Sequence, residues 1–218
     1  MENCKNVVIL LAGGSGKRFG HKMPKQFVKV LGKTILEHTL DNINSISSID
    51  EIYLVCHSDY IEKISELISQ YAKIKKVVAG GDSRGESIKK GLEAISHYSD
   101  KTKVLVHDSV RPLIASAVID KIIQMLDDYD VIQTVAKLNT DVIIENQFHH
   151  REGVKLCSGP EAGGLGIFKK AYQLHPCNSV LEACLSVTLK ISTVESNPEN
   201  IKVTYADDIA FVERNLNK

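Results

Sequence analysis

Residues 7–20 read VVILLAGGSGKRFG. The six apolar residues from Val7 to Ala12 close on glycines, the pattern of a strand buried on both faces of a parallel sheet. Working outward, helical and strand periodicities alternate. Ile35 to Ile46 reads as a helix with Ile35, Leu36, Leu40 and Ile43 on one side. Ile52 to Cys56 is a second strand, and Asp59 can cap a helix that buries Ile61, Ile64, Leu67, Ile68 and Tyr71. Val77 and Val78 form a third strand stopping at Gly80-Gly81, and a helix from about Ser83 buries Ile88, Leu92 and Ile95. Val104 to Val106 is a fourth strand, ending at His107-Asp108. A helix lined by Val118, Ile122, Met125 and Leu126 leads to a fifth, Val131 to Val135. Strands separated by helices at this interval indicate βαβ units, hence an α/β fold with a mostly parallel sheet covered on both faces.

Thr140 to Pro160 breaks the rhythm. TDVIIENQFHHREGVKL contains two short alternating segments around a polar turn and reads as a hairpin, either a projecting arm or a surface feature without consequence. Helices near Ile167–Leu174 and Ser179–Leu189, a strand around Ile201–Thr204 and a helix from Ala206 to Leu216 complete the chain. Neither repeats nor low-complexity linkers occur, so residues 1–218 are expected to form one domain with a β-arm at about 138–160.

Composition narrows the function. With 43% hydrophobic and 25% charged residues the chain is a globular one. Lys plus Arg and Asp plus Glu both number 27, and this balance argues against a nucleic-acid or anionic-membrane binder. No apolar run is long enough to span a bilayer or to serve as a signal-peptide core. Cys4, Cys56, Cys157, Cys177 and Cys184 contain no CxxC pair and read as reduced thiols, so a cytoplasmic location is expected.

Ligands of open α/β sheets bind beyond the carboxyl ends of the strands, and four such ends carry unusual residues here. The first is Ala12-Gly13-Gly14-Ser15-Gly16-Lys17-Arg18, whose amides can approach an anion while its side chains neutralise it. It matches neither a Walker A loop nor the dinucleotide fingerprint, and a plain tight turn is the alternative. From Asn3 to Leu36 there are seven lysines and arginines and no acid, so either a polyphosphate site or a solvated basic face lies there. Gly80-Gly81-Asp82-Ser83 is the second end, and it could equally be only a turn into a helix. The third, His107-Asp108-Ser109-Val110-Arg111-Pro112, places a carboxylate where a divalent cation could bridge phosphate oxygens; a helix cap or an ion pair with Arg111 would explain it too. Asn200-Ile201-Lys202 is the fourth. No nucleophile–base constellation stands out, so phosphoryl or nucleotidyl transfer driven by charge neutralisation is the favoured chemistry.

LLAGGSGKRFG-HKMPKQFVKVLGKTILEHTL, AGGDSRGESIKKGL, VLVHDSVRP and NIKVTYADDIAFVE, in this order, resemble the cytidylyltransferases typified by 2-C-methyl-D-erythritol 4-phosphate cytidylyltransferase, a group that includes ribitol-5-phosphate cytidylyltransferases. The resemblance covers about residues 5–216. It implies a Rossmann-like nucleotidyltransferase fold, CTP as cosubstrate, Mg²⁺ as the divalent cation, and a homodimer with exchanged hairpin arms. The implied reaction transfers CMP from CTP to a sugar-alcohol phosphate with release of pyrophosphate. The acceptor would be 2-C-methyl-D-erythritol 4-phosphate, in isoprenoid precursor synthesis, or alternatively ribitol 5-phosphate or another pentitol phosphate. A non-catalytic nucleotide-binding homologue is the reading from another class. Ala12, Gly13, Gly14 and Gly16 would contact cytosine and the phosphates, and Arg18, Lys25 and Lys202 would act on the transferring phosphate. Gly81, Asp82 and Ser87 would recognise base and ribose, Asp108 and Glu199 would stand at the metal, and Thr140 and Arg151 would address the sugar phosphate of the neighbouring subunit.

Two segments depart from the family pattern. Its usual Thr-Pro-Gln-x-Phe is replaced by Ser158-Gly159-Pro160-Glu161-Ala162-Gly163-Gly164, and its Thr-Asp helix opening by Val180-Leu181-Glu182-Ala183. Glu161 and Glu182 are the candidates to substitute for the lost polar groups.

Overall fold

The computed structural model describes residues 4–14, 19, 23–188 and 190–217. The chain begins with β1 (Asn6–Ala12), a small β2 (Lys29–Val30) and β3 (Lys33–Thr34) ribbon, and α1 (Ile35–Ser45). Then come β4 (Glu51–Cys56), α2 (Ile61–Leu67), β5 (Ile74–Ala79), α3 (Arg84–Ala94), β6 (Lys103–Asp108), α4 (Ser116–Met125) and β7 (Val131–Ala136). The arm hairpin β8 (Val142–Ile144) and β9 (Gln147–His149) precedes β10 (Leu156–Gly164), α5 (Leu165–Leu174), α6 (Val180–Cys184), β11 (Ile191–Glu195) and α7 (Asp208–Leu216). The seven-stranded sheet has the order β11-β7-β10-β6-β1-β4-β5 and is parallel except for β10, which runs antiparallel to both neighbours.

The alternation of side chains along β1 explains why its sequence is continuously apolar. Val8, Leu10 and Ala12 face the layer of α1, α2 and α4, while Val7, Ile9 and Leu11 face that of α3, α5 and α6. Both faces are covered, and each large aliphatic side chain so buried contributes roughly 1.5–3 kcal/mol relative to exposure. Local signals agree with the tertiary demand. Thr34 and Glu37 form a reciprocal capping box at α1, and the Ser83 hydroxyl caps α3 by accepting from the Glu86 amide at 3.1 Å.

Three expectations change. The segment 201–204 is not a strand: Val203 is fully buried against Val110 and Val212, and its amide donates to the Val110 carbonyl without a ladder. The last strand is Ile191–Glu195, beside β7. The hairpin is confined to Val142–His149, while the Gly- and Pro-rich segment after it is an interior strand, β10. Glycines there admit neighbours: a Cβ on Gly163 would stand 2.4 Å from the Phe168 ring. The helix after Asp59 is also shorter, and Asp59 lies in a 3₁₀ turn capped by His57.

α3 lies close to β1 because Gly91 presents no side chain. A Cβ there would meet Ile9 Cγ2 at 2.7 Å and Val55 Cγ2 at 3.2 Å, both in the core. Gly91→Val should therefore destabilise the protein by about 1–3 kcal/mol through overpacking. Urea unfolding checks this; an unchanged midpoint would mean that α3 can move away from the sheet without loss.

Candidate active site

The carboxyl ends of β1, β5 and β6 open into a cavity of about 570 Å³. Its walls include Gly13, Gly14, Lys25, Gly81, Asp82, Ser87, Asp108 and Lys202, eight of the residues expected at the site. A second cavity, of about 210 Å³, adjoins it and is lined by Arg111, Gln133, Cys157, Ser158, Gly159, Glu161, Asn178 and Ser179. Arg84, Asp108 and Lys202 line both cavities.

Backbone contacts build the first cavity. The Gln26 side-chain Nε2 donates to the Ala12 carbonyl at 2.8 Å, tying down the end of β1; Ala12 thus supports the loop from behind. The Ser87 hydroxyl accepts from the Gly81 amide at 3.1 Å, and the Gly80 amide donates to the Cys56 carbonyl at 2.7 Å. Gly80 and Gly81 admit no substituent: Cβ atoms on them would lie 2.8 Å from Ser87 Oγ and 2.3 Å from Glu86 Cβ respectively. Lys25 is buried, with its ammonium donating to the Val203 carbonyl at 2.6 Å. This bond holds segment 201–204 across the strand tips and brings Lys202 to the cavity.

Asp108 is the centre of charge. Its carboxylate lies 2.9 Å from Lys202 Nζ, 3.3 Å from Arg111 Nε and 3.6 Å from Arg84 Nε. Burial alone would raise its pKa, but the Lys202, Arg84 and Arg111 charges outweigh that and hold the carboxyl well below the usual carboxylate range. Beyond Arg84 stands Glu161, 2.7 Å from its Nη2. Three cations thus face two carboxylates, leaving the junction positive and suited to an anion. Asp108 also fits a divalent cation. Mg²⁺ commonly takes one or two carboxylates and completes its shell with water and phosphate oxygens, and Asp82 is the other carboxylate lining this cavity among the described residues.

Other expected residues lie elsewhere. Gly16 and Arg18 fall outside the described residues. Glu199 lines neither cavity and accepts from the Asn197 side-chain Nδ2 at 3.2 Å. Thr140 and Arg151 are exposed on the arm, where Arg151 pairs with Glu152 at 2.9 Å and donates to the Asn139 carbonyl at 3.0 Å. The two substitution candidates part ways: Glu161 is buried beside Arg84, whereas Glu182 is exposed on α6, where its amide donates to the Ser179 hydroxyl. Sequence reasoning passed over Arg84 and Asn178. Arg84 was findable, since a residue following the Ser83 cap at a strand tip must stand at the site. Asn178 carried no signal.

His107 precedes Asp108 but lines neither cavity. Its Nε2 lies 3.2 Å from the Arg111 carbonyl oxygen, and burial pushes its pKa down to about 4, so the imidazole is neutral.

The sequence profile described as 2-C-methyl-D-erythritol 4-phosphate cytidylyltransferase matches residues 6–218. Ribitol-5-phosphate cytidylyltransferase of Streptococcus agalactiae is 33% identical, over 93% of this chain and 91% of its own. The bifunctional ribulose 5-phosphate reductase/CDP-ribitol pyrophosphorylase of Haemophilus influenzae is 32% identical over 98% of this chain; the chain spans about half the length of that relative, 48%. The crystal structure of 4-diphosphocytidyl-2C-methyl-D-erythritol synthase from Anaerococcus prevotii superposes with a TM-score of 0.84 at 26% identity, covering 99% of both chains.

The His107 shift makes stability depend on pH. Its folded pKa, about 4, lies below the ordinary 6.5, so the unfolded chain binds the extra proton first as pH falls. The contribution is complete above pH 6.5 and is lost between 6.5 and about 4, amounting to about 3 kcal/mol in full. Urea unfolding at pH 7 and pH 5 should show about 2 kcal/mol of this loss in the native protein and a flatter dependence in His107→Gln. An equal slope in both would assign the effect to other groups.

Proposed function

The chain belongs to the 2-C-methyl-D-erythritol 4-phosphate cytidylyltransferase family, and from that premise we propose that it transfers CMP from CTP to the phosphate of a sugar alcohol, releasing pyrophosphate. The observation that carries this reading is the pair of cavities sharing Arg84, Asp108 and Lys202. One has glycine turns that admit a nucleoside triphosphate, the other is small and polar, and the shared wall is where two phosphates would meet.

An oxygen of the acceptor phosphate attacks the α-phosphorus of CTP; the bond from that phosphorus to the bridging oxygen breaks, and its electron pair leaves with pyrophosphate. The attacking monoester is already an anion, so no general base is required. That agrees with the neutral His107 behind the site. Lys25, Lys202 and Arg84, together with Arg18, would meet the negative charge that accumulates on the α-phosphate oxygens. Gly13, Gly14 and Gly16 would admit the phosphates, while Gly81, Asp82 and Ser87 frame base and ribose. Asp108 would hold Mg²⁺, which when bound neutralises phosphate oxygens and favours departure of pyrophosphate.

Methylerythritol phosphate is the acceptor in the family's description. Ribitol 5-phosphate is the acceptor in the name of the Streptococcus relative, and the second cavity favours it: among the described residues its lining is mostly polar and charged, with no Val, Leu, Ile, Met or aromatic ring on which a branching methyl could rest. On the arm, Ile143, Ile144 and Phe148 are exposed at 74%, 49% and 62%, an apolar surface suited to a second copy of the chain. In that homodimer Thr140 and Arg151 would reach the acceptor in the neighbouring site. Among the described residues no helix is long and apolar enough to cross a membrane, and a cytoplasmic enzyme is the reading adopted.

Pyrophosphate release from CTP with Mg²⁺ and each acceptor tests the reaction. One acceptor should support turnover; binding of CTP with release in no case would leave a nucleotide-binding homologue. With the active acceptor, Lys25→Ala should lower kcat by about a hundredfold to a thousandfold while changing CTP affinity less. Lost CTP affinity with full turnover at saturation would make Lys25 a binding cation only.

The arm has its own test. Mixing inactive Arg151→Ala and Lys25→Ala proteins should restore activity, because a heterodimer contains one site with both residues intact. No recovery after verified subunit exchange would place each arm at its own chain's site.

A further inference from the structure

Arg84 is the guanidinium on the wall between the two cavities, and its contacts are unusually complete. Nη2 donates to Glu161 Oε1 at 2.7 Å, Nη1 donates to the Asn178 carbonyl, and Nε lies 3.6 Å from Asp108. A guanidinium has five N–H groups, so each terminal nitrogen keeps one for a ligand. The partner of Nη2 is Glu161, buried at 7% exposure on β10. Its second oxygen, Oε2, accepts from the amides of Val180 at 2.7 Å and Leu181 at 3.2 Å. One carboxylate therefore joins three elements: its own strand, the first residue of α3 and the opening of α6. Asn178 completes the frame, with its Oδ1 accepting from the Gly85 amide at 2.9 Å.

Resting on the cytidylyltransferase reading, we propose that Glu161 is a positioning residue. By holding Arg84 through Nη2 while Asp108 stands at Nε, it keeps the guanidinium at the junction of the two substrate cavities, with its remaining N–H groups left for the transferring phosphate. Asp108 attracts the same guanidinium from 3.6 Å, already shared with Lys202 and Arg111. Without the Glu161 charge, Arg84 is drawn toward Asp108. The positive charge is then spent on a carboxylate that should serve the metal. The carboxylate itself touches neither reacting phosphate; it acts through Arg84. Its strand position decides this. Glu161 pairs in register with Gln133 on β7 and Val106 on β6, in the interior of the sheet, so its backbone is fixed where a loop residue would drift.

Glu161→Gln is the informative variant, since an amide oxygen can still accept from the Val180 and Leu181 amides and keep α6 capped. Its thermal midpoint should stay near that of the native protein while kcat falls roughly ten- to hundredfold, with little change in CTP affinity. In an Arg84→Met background, which alone should lose roughly a hundredfold or more, Glu161→Gln should add almost nothing. A readout independent of turnover is the Arg84 Nε–H resonance, which should be ordered in the native protein and broaden or shift in Glu161→Gln. Native kcat and an unchanged resonance in Glu161→Gln would overturn the proposal, as would a loss that persists in full on the Arg84→Met background. If the native enzyme releases pyrophosphate with no sugar-alcohol phosphate, the cytidylyltransferase reading fails; the resonance still decides whether Glu161 positions Arg84.

Discussion

A buried carboxylate at the end of β6, held ionised by the charges of Lys202, Arg84 and Arg111, is the interaction around which the site is organised. Burying such a charge unpaired would be prohibitive, and pairing it with one cation would make only a structural ion pair. Three cations from three segments, the opening of α3, the turn after β6 and the stretch after β11, leave an excess of positive charge at one point. The excess lies where two cavities meet. A chain without net charge can thereby offer a locally positive junction, because the field is made by convergence and not by the whole surface.

The scaffold serves that convergence. Parallel strands present their carboxyl ends on one edge, so β1, β5 and β6 deliver glycine turns and a carboxylate to the same place. The antiparallel β10 starts at that edge, and the register shift between Cys157 and Glu161 marks where the strand leaves the ladder and Ser158 and Gly159 line the second cavity. Segment 201–204 crosses the tips without joining the sheet and is fastened by the Lys25 and Val110 contacts. Burial and hydrogen bonding thus position the cations before any ligand arrives, which is the condition for electrostatic catalysis of phosphoryl chemistry. Hydrogen-bonded glycine turns wall one cavity, and mostly polar and charged side chains wall the other.

Much of this was legible in the chain. The apolar run of β1, the Ser83 cap and the glycine pairs at strand tips each require particular residues locally, so alternation of strands and helices and the positions of Gly81 and Asp108 at strand ends could be read from the chain, whereas Lys25 and Lys202 were indicated by the family resemblance and not by a local strand signal. The segment from Ser158 to Gly164 could not. Its glycines and proline carry no strand propensity, and its pairing with β6 and β7 is settled by neighbours far along the chain. Glu199 was placed near the metal by motif position, but the turn at Asn197 carries its side chain to another partner.

The sequence by itself determined the layered α/β fold, the edge on which chemistry occurs and the cationic character of the site, because periodicity, capping and glycine requirements are local. Only the tertiary structure decided that Arg84, Asp108 and Lys202 form one wall between two cavities, and that Glu161 and Asn178 stand behind Arg84. Those residues lie on segments between 84 and 202, and nothing in local sequence encodes the distances among them; packing of β10 and α6 against α3 does.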